Sequence, residues 1–480
     1  MTNVDFKNKI PDYVTKVANR LIENGYEAYL VGGSIRDIIT GKTPDDFDIA
    51  TNAYPEQITE IFEKSIPTGA KFGTITVISE DAHGEKFDVE VTTYRSEADY
   101  VGGRWPSRVE FARSIDEDLS RRDFTINAIA LNLDESNNFQ IVDPFNGLED
   151  INNKVIRAVG NPIDRFEEDG LRAVRACRLA SQLNFTIEQA TFDAIKQTLH
   201  VTKLVSIERF RDELLKLLYK SPKPSVGLRL LKESGILQLF IPELLEGVDV
   251  TQPEFHSDDV FEHSILTVDE AEDSIKLAAL FHDIGKPRTI SKDEKGTHFY
   301  GHDIAGAEMT KEIMKRLKFP NIEIDRTYKL VRWHMFYYPS ADWRKSEEEA
   351  KGAEHGWTDG AIRRLIQNVG GEEAIDDLLK LRIADQLSNK KYQFDQEELD
   401  AITRRIADVR AKEMALKISD LDITGNDLIE NFHIPAGPIV GQTLKFLLEK
   451  VIDEPGLNKK IDLLILAKEY LTKNNFLTSH

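Results

Sequence analysis

The chain has 480 residues, 41% of them hydrophobic, and a formal net charge of −21. This length exceeds what one hydrophobic core supports, so about three or four domains are expected. The acidic balance argues against a generic nucleic-acid-binding protein, because phosphate contacts require Lys and Arg. No apolar run approaches the roughly 20 residues of a membrane span, and residues 1–12 lack the pattern of a signal peptide, which predicts a cytoplasmic protein.

The first motif is a glycine turn between a strand ending at Val31 and a short helix over residues 34–39. Gly32 and Gly33 would let the backbone approach a polyphosphate closely, and the start of the following helix would present free N–H groups to it. The pattern is therefore typical of a phosphate cradle.

Two aspartates follow the cradle where a second strand is expected to begin at Phe47. Side chains at i and i+2 share a face of a strand, so Asp46 and Asp48 should point the same way. Paired carboxylates with substrate phosphates favour Mg²⁺ and phosphoryl or nucleotidyl transfer, although an Asp-x-Asp sequence can also be a solvated turn. Glu90, on a later strand, is either a third carboxylate of this site or a solvated residue.

Short strands alternate with helices as far as Leu133, which predicts a mixed α/β domain. The strands are expected at residues 27–31, 47–50, 74–78, 86–93 and 128–133. The polar, glycine-rich stretch between Tyr94 and Arg113 predicts a mobile loop, with residues 100–106 at its centre. Next, the adjacent Arg121 and Arg122 suit triphosphate oxygens, with a surface salt bridge as the alternative.

Helical periodicity replaces strand signals from about residue 150. Residues 157–223 carry 12 basic against 9 acidic side chains, so this segment could hold a phosphate backbone within an acidic chain. Asp169 and Arg172 are spaced to share a helix face. They form either an ordinary salt bridge or a pair that reads a base edge, where Asp accepts and Arg donates, as cytosine and adenine require.

Histidines cluster in the next helical block. Six of the 11 histidines lie within residues 256–334. A set of histidines and aspartates suits a first-row transition metal, whereas a lone histidine is more often a packed core residue. The candidate ligands are His263, His282, Asp283 and Asp385, with His302 and His334 as further candidates.

Together these motifs resemble the class II tRNA nucleotidyltransferase and bacterial poly(A) polymerase superfamily, and most closely bacterial CCA-adding enzymes with an HD domain. The resemblance implies an α+β multidomain protein with a mixed-sheet, polymerase beta-like nucleotidyltransferase head followed by all-α neck, body, HD and tail regions. The expected divisions are 1–150 for the head, 151–250 for the neck and body, 251–390 for the HD phosphohydrolase domain and 391–480 for a tRNA-binding tail.

The resemblance also implies roles for individual residues. Asp46 and Asp48 match the catalytic motif, and residues 100–109 resemble the loop that switches from C to A addition. The nucleotide-binding candidates are Gly32, Gly33, Arg36, Arg121, Arg122, Asp123, Asn127, Asp169, Arg172, Arg175 and Arg178. Asp169 and Arg172 would act as the amino-acid template for the incoming base.

The leading hypothesis is a Mg²⁺-dependent enzyme that adds C, C and A to tRNA from CTP and ATP, with Mn²⁺, Ni²⁺, Co²⁺ or Fe at the HD site. Its rivals are a poly(A) polymerase or an enzyme that adds only part of the CCA end. Two hypotheses of other classes are an HD phosphohydrolase with an inactive head and a non-catalytic RNA-binding protein. The intact aspartate pair argues against an inactive head. No membrane partner is expected, and the sequence leaves the oligomeric state open.

Overall fold

The computed structural model describes residues 6–69, 73–101, 105–133, 139–252, 258–294, 296–335, 358–389, 396–411 and 417–477. The chain forms two compact units, Met1–Pro242 and Glu243–His480. The expected mixed-sheet head followed by helical regions is confirmed. The finer domain divisions at 150, 250 and 390 stay predictions.

The first unit is built on a mixed sheet. In chain order its strands are β1 Tyr29–Val31, β2 Asp48–Thr51, β3 Ser65–Gly69, β4 Thr74–Glu80, β5 Lys86–Thr93, β6 Arg95–Val101, β7 Trp105–Phe111, β8 Ala130–Asn132, β9 Ile141–Val142, β10 Val155–Ile156 and β11 Thr186–Ile187. Within the described residues, the main sheet has the order β3-β4-β5-β2-β1-β8-β9, with β2 and β5 parallel and the other neighbours antiparallel. β6 pairs with β7, and β10 pairs with β11.

Helices cover this sheet and then form a helical region. They are α1 Asp12–Glu23, α2 Gly33–Ile39, α3 Pro55–Ile61, α4 Ile115–Ser120, α5 Gly147–Asn153, α6 Pro162–Glu168, α7 Leu171–Leu183, α8 Gln189–Gln197, α9 Leu199–Thr202, α10 Ile207–Lys220, α11 Pro224–Glu233 and α12 Ile236–Phe240. A 3₁₀ helix covers Thr125–Asn127. α1 shows why they pack: Val14, Val17, Ala18 and Leu21 follow helical spacing and are buried, and the helix packs on β4.

The predicted strands were found, with ends displaced by a few residues. The sequence missed β3 and β9 of the main sheet and the short pair of β10 and β11. After Tyr94, β6 and β7 form an antiparallel hairpin in which Val101 pairs with Trp105, which the sequence did not predict. The mobility expected of this stretch stays a prediction. Residues 102–104, at the centre of the predicted loop, lie outside the described residues.

The second unit is helical in its described parts, apart from the hairpin of β12 Ser291–Asp293 and β13 Gly296–His298. After α13 Pro242–Leu245, its helices are α14 Val260–Glu270, α15 Lys276–Phe281, α16 Lys286–Thr289, α17 His302–Arg316, α18 Asn321–Trp333, α19 Asp359–Val369, α20 Glu372–Ser388, α21 Gln396–Arg410, α22 Gly425–Phe432, α23 Pro438–Asp453 and α24 Lys460–Lys473. Short 3₁₀ helices cover Asp273–Ile275, Ile418–Asp420 and Pro455–Leu457.

The C-terminal helices have their own apolar core, in which Leu447, Val451 and Leu463 are buried. α19 is joined to α23 by the buried Arg363, whose Nη1 donates to the carbonyl oxygen of Ile452 at 2.8 Å. Among the helices in the described ranges, none is both long enough and apolar enough to cross a bilayer.

Candidate active sites

The glycine cradle forms between β1 and α2 as the sequence predicts. Gly32 has a φ of +79°, a conformation that strongly favours glycine. A Cβ at Gly32 would lie 3.2 Å from Nη1 of Arg122 and 3.8 Å from Oδ2 of Asp48. The turn therefore places its backbone beside a candidate catalytic carboxylate and a candidate phosphate-binding arginine.

The sheet register brings the candidate carboxylates of the head together. Asp48 opens β2 and pairs with Val31 of β1 on one side and with Glu90 of β5 on the other. Burial, with the charges of Asp46 and Glu90, raises the pKa of Asp48 to about 7, although Arg122 acts in the opposite direction. Asp46 and Glu90 are exposed. The site thus carries more negative charge than the fold neutralises.

Arg121 and Arg122 share one buried partner, Asp118 of α4. Nη2 of Arg121 lies 2.7 Å from Oδ1 of Asp118, and Nη2 of Arg122 lies 3.1 Å from Oδ2. Burial alone would raise the pKa of Asp118, but the two guanidinium groups outweigh it and hold the pKa below its ordinary value. Sequence reasoning missed Asp118, although its spacing of three and four residues from the arginines was a usable signal.

A series of hydrogen-bonded polar side chains links α2, the helix after the Gly32 turn, to α7. Nη1 of Arg36 donates to Oδ1 of Asn127 at 2.7 Å, and Nδ2 of Asn127 donates to Oδ1 of Asp123 at 3.1 Å. The other oxygen of Asp123 lies 2.7 Å from Nη2 of Arg175. The structure therefore brings four predicted nucleotide-binding residues into one network.

The prediction that Asp169 and Arg172 share a helix was wrong. α6 ends at Glu168 and α7 begins at Leu171, so Asp169 lies in the break between them. The break occurs at Gly170, where a Cβ would lie only 2.6 Å from the Cα of Thr202. Close packing against a later segment fixes this break, and periodicity does not reveal it.

Asp169 and Arg172 are therefore held by different partners. Asp169 accepts hydrogen bonds from Nη1 and Nη2 of Arg209, at 3.1 and 2.6 Å. Arg172 is buried, and its guanidinium pairs with Glu168 and donates to the carbonyl oxygen of Arg121 at 3.0 Å. The two side chains are fixed independently at the junction of α6 and α7.

Of the remaining arginines, Arg178 is engaged inside the helical region. Its Nε pairs with the buried Glu213 of α10, and Nη1 donates to Gln182. These contacts give Arg178 a role in joining α7 to α10, and its predicted contact with a nucleotide stays a prediction.

In the second unit, Asp283 lies between two pairs of buried histidines. Its Oδ2 is 3.1 Å from Nε2 of His282 and 3.5 Å from Nε2 of His263. Its Oδ1 is 3.4 Å from Nε2 of His302 and 3.7 Å from Nε2 of His334. Two groups result, each with ligand atoms within 4.8 Å of one another: His263, His282 and Asp283, and Asp283, His302 and His334.

Asp385 of α20 extends the first of these groups. Its Oδ1 lies 3.0 Å from Nε2 of His263 and 3.7 Å from Nε2 of His282. Burial would raise the pKa of Asp385, but the neighbouring histidines outweigh it and hold the pKa below its ordinary value. The six predicted residues of this cluster therefore meet in one place. Among the described residues, Asp46, Asp48 and Glu90 are not gathered as tightly.

Hydrogen bonds on the far side of the rings orient three of the histidines. Nδ1 of His282, His302 and His334 lies 2.8, 2.7 and 2.6 Å from the carbonyl oxygen three residues earlier. Because a carbonyl oxygen only accepts, Nδ1 of each ring carries a proton, which leaves Nε2 as the nitrogen that could bind a metal ion. Nε2 atoms of His302 and His334 are 3.3 Å apart. Two Nε2 atoms this close to each other and to Asp283 fit ligands of a shared metal ion.

A close approach of two glycines assembles this cluster. A Cβ at Gly285 would lie 2.2 Å from the carbonyl oxygen of His302 and 2.6 Å from the backbone nitrogen of Gly306. The turn that carries His282 and Asp283 therefore lies directly against α17. Any side chain at Gly285 would push apart the two halves of the cluster.

Comparisons with known proteins cover both regions. The chain matches the family models described as the Poly A polymerase head domain over residues 28–157, the probable RNA and SrmB-binding site of polymerase A over residues 184–247, and the HD domain over residues 256–390. It is 30% identical over 458 residues to a CCA-adding enzyme of Lactococcus lactis subsp. cremoris (strain MG1363), with 95% of each chain covered.

Other relatives match over part of the chain. Identity to a CCA-adding enzyme of Lactobacillus helveticus (strain DPC 4571) is 48% over 213 residues, which is 44% of this chain and 51% of that protein. The chain thus spans about half the length of that relative. Among solved structures, the Bacillus stearothermophilus CCA-adding enzyme in complex with CTP matches with a TM-score of 0.66 and 26% identity, covering 96% of this chain and 98% of that one.

Proposed function

Because the chain belongs to the family of CCA-adding enzymes, we propose that it adds C, C and A to the 3′ ends of tRNA from CTP and ATP without a nucleic-acid template. The observation that carries the proposal is the position of Asp48. It lies beside the Gly32 turn and Arg122, with a pKa raised to about 7 by burial and by the carboxylates of Asp46 and Glu90.

The carboxylates of the head fit a divalent cation. All the donors are oxygen atoms, as Mg²⁺ prefers, and their uncompensated negative charge is what a cation would relieve. Asp46 and Asp48 would hold the ions, with Glu90 as a further ligand. When bound, Mg²⁺ would stabilise charge on the attacking and leaving oxygens. In each step the 3′ oxygen of the tRNA bonds to the α-phosphorus, the bond to pyrophosphate breaks, and the hydroxyl proton is released.

Arginines of the head would hold the triphosphate. Arg122 reaches the Gly32 turn, and Asp118 fixes both Arg121 and Arg122, so their guanidinium groups are preorganised. Asp123 and Asn127 would position the ribose, and their link to Arg36 and Arg175 keeps them in place. Binding of the triphosphate and ribose would then align the α-phosphorus with the carboxylates.

Asp169 and Arg172 would select the base. Asp169 offers acceptor oxygens and Arg172 offers N–H donors, which together match the amine and the ring acceptor of cytosine or adenine. Uracil and guanine present the reverse pattern and would leave both side chains unpaired. Holding the two residues by separate partners suits this role, because their geometry then does not depend on the nucleotide.

The deciding experiment supplies labelled CTP and ATP, separately and together, to tRNA that lacks its 3′ terminus. We expect CMP incorporation with CTP alone and AMP incorporation only when both are present. Repeated AMP addition with ATP alone would identify a poly(A) polymerase. Incorporation of neither nucleotide would favour an enzyme that works only through its HD domain. A cytoplasmic location belongs to the same proposal, since its substrates are tRNA and nucleotides.

The second unit supports a second activity, a metal-dependent phosphohydrolase for cyclic or terminal phosphates at RNA ends. His263, His282, Asp283 and Asp385 would hold one ion, and His302 and His334 would share Asp283 in holding another. Mixed imidazole and carboxylate donors suit Mn²⁺, Ni²⁺, Co²⁺ or Fe. Such an ion would lower the pKa of a water to near neutrality.

Hydrolysis of a cyclic phosphate needs only water as co-reactant. The water oxygen bonds to phosphorus, one ester bond of the ring breaks, and the released ribose oxygen takes a proton. Together with removal of the terminal phosphate, this would expose the 3′ hydroxyl that the head extends. The test offers a 2′,3′-cyclic nucleotide and a terminal phosphate to protein loaded with each metal in turn. Hydrolysis of neither would leave the HD domain as a structural element.

A further inference from the structure

We propose that the exposed ring of Tyr300 is a stacking platform for the base of a nucleotide whose phosphate lies at the Asp283 cluster. The inference rests on the proposed phosphohydrolase function and adds the position of the base to it. It is carried by a cavity of about 360 Å³ that both the cluster and Tyr300 line.

The cavity combines the three surfaces that a nucleotide needs. Asp283, His302, His334 and Asp385 line it with the candidate metal ligands, where a phosphate would react. Arg382 lines it with a cation that suits phosphate oxygens, and so does Lys286, whose Nζ also lies 2.6 Å from Oδ2 of Asp283. Tyr300 lines it with an aromatic face. Its volume falls at the low end of the roughly 300–1,000 Å³ typical of ligand pockets, which suits one nucleotide rather than a longer stretch of RNA.

Tyr300 is exposed, yet its ring is held. It is 77% exposed, more than almost any other large hydrophobic side chain among the described residues. Its ring lies nearly parallel to that of His298, at 14° and 5.2 Å between centroids. His298 is anchored in turn across the β12–β13 hairpin, with Nε2 2.8 Å from Oδ1 of Asp293. Stacking on His298 fixes one face of the ring, so a base can cover the other.

Tyr300 is also close in the chain to the proposed reacting centre. Tyr300 precedes His302 by two residues, and His302 is the first residue of α17. An isolated exposed tyrosine would need no ligand to explain it. A tyrosine that lines the same cavity as four candidate metal ligands, together with Lys286 and Arg382, matches the layout of a nucleotide. Because every base has a π face, the platform should accept all four bases with little preference.

The first test measures binding. Wild-type protein and variants are titrated calorimetrically with adenosine 2′-monophosphate and with ribose 5-phosphate, in the presence of Mg²⁺ and enough CTP to fill the head. We expect Tyr300→Ala to weaken binding of the adenosine nucleotide by about ten-fold or more, since a base stacked on an aromatic ring contributes that much. Binding of ribose 5-phosphate should change by less than about two-fold, and Tyr300→Phe should bind like wild type. Equal binding by Tyr300→Ala and wild type, or no binding by wild type, would overturn the proposal.

The second test measures hydrolysis of a 2′,3′-cyclic nucleotide and of a cyclic phosphate that lacks a base. Tyr300→Ala should raise KM for the first substrate only and leave kcat nearly unchanged. Ile304→Ala is the matched control, because Ile304 is 53% exposed on the adjoining turn of α17 but does not line the cavity. Equal loss on both substrates would refute a platform. If wild type hydrolyses neither substrate, the phosphohydrolase function fails while calorimetry still decides whether Tyr300 binds a base.

Discussion

Arg209 holds Asp169 with two hydrogen bonds, of 3.1 and 2.6 Å, across the break between α6 and α7. A carboxylate that selects a base must keep its orientation before the nucleotide arrives. Arg209, on α10, supplies that orientation, so the orientation of Asp169 does not depend on Arg172. If Asp169 selects the base as proposed, Arg209 would act as its positioning residue.

Substituting Arg209 by Gln should lower selectivity as well as rate. Asp169 would lose a charged, two-point partner, and we expect the preference for CTP over UTP in kcat/KM to fall by about ten-fold or more. Arg211→Gln is the control, because Arg211 lies on the same helix and pairs with the exposed Asp212. An unchanged preference for CTP in Arg209→Gln would show that Asp169 does not depend on this contact.

Asp118→Asn should destabilise the head and weaken triphosphate binding together. Two arginines would lose a buried counter-charge, and removing one partner of such a pair costs about 2–4 kcal/mol after allowing for their partial exposure. KM for CTP should rise in parallel. The exposed Asp116 on the same helix gives the control variant Asp116→Asn.

The pH dependence of that loss follows from the lowered pKa of Asp118. Its folded pKa lies below the ordinary value of 3.8, so the ion pairs stabilise the fold above that pH. Their contribution disappears as the pH falls through the folded pKa. In urea unfolding, the difference between wild type and Asp118→Asn should be constant from about pH 5 to 8 and shrink below about pH 4. A difference that grew on acidification would contradict the assignment.

The sequence predicted the parts of the head that depend on local pattern. Apolar alternation located the strands, and the glycine turn with its aspartates located the carboxylates. Sequence reasoning failed where contacts between residues that are distant in the chain determine the local structure. The break at Gly170 exists because Thr202 packs against it, and Asp169 meets Arg209 from a helix some 40 positions later.

For the histidine cluster, too, the sequence predicted the local features and missed those that depend on the fold. Residue type and clustering identified all six side chains. The bridging position of Asp283 could not be predicted, because it depends on the contact of Gly285 with α17, which only the fold creates. The hairpin of β6 and β7 was missed for a local reason, since its polar, glycine-rich composition resembles that of a loop.

Asp48→Ala should abolish incorporation of both CMP and AMP, since the same carboxylates serve every addition. Thermal unfolding gives an independent reading: Mg²⁺ should raise the Tm of wild type and have little effect on the variant. Asp45→Ala is the control, because Asp45 is close in sequence but exposed and paired with Lys220. CMP transfer by Asp48→Ala at near wild-type rate would mean that the catalytic site lies elsewhere.

The hairpin of β6 and β7 should be needed for A addition more than for C addition. Val101 pairs with Trp105, so Gly102, Gly103 and Arg104 can be replaced by Asn-Gly, a two-residue turn that keeps the strands paired. We expect this variant to add C at near wild-type rate and to lose A addition on tRNA ending in CC. Equal loss of both steps would indicate a general role of the hairpin in folding.

The arrangement of the histidine cluster leads to a prediction about the metal content of variants. Asp283 contacts both histidine groups through different oxygens, whereas His334 belongs to only one of them. Asp283→Ala should therefore lose all bound transition metal, and His334→Ala should keep the ion of the His263 group and lose the other. Plasma mass spectrometry of protein purified with Mn²⁺ measures both.

His298→Ala is the control, because His298 lines the cavity but bonds to Asp293 outside the cluster. Asp283→Ala should also lose hydrolysis of a cyclic phosphate while tRNA with a free 3′ hydroxyl is extended normally. Equal metal loss in His334→Ala and Asp283→Ala would contradict separate sites joined by one carboxylate.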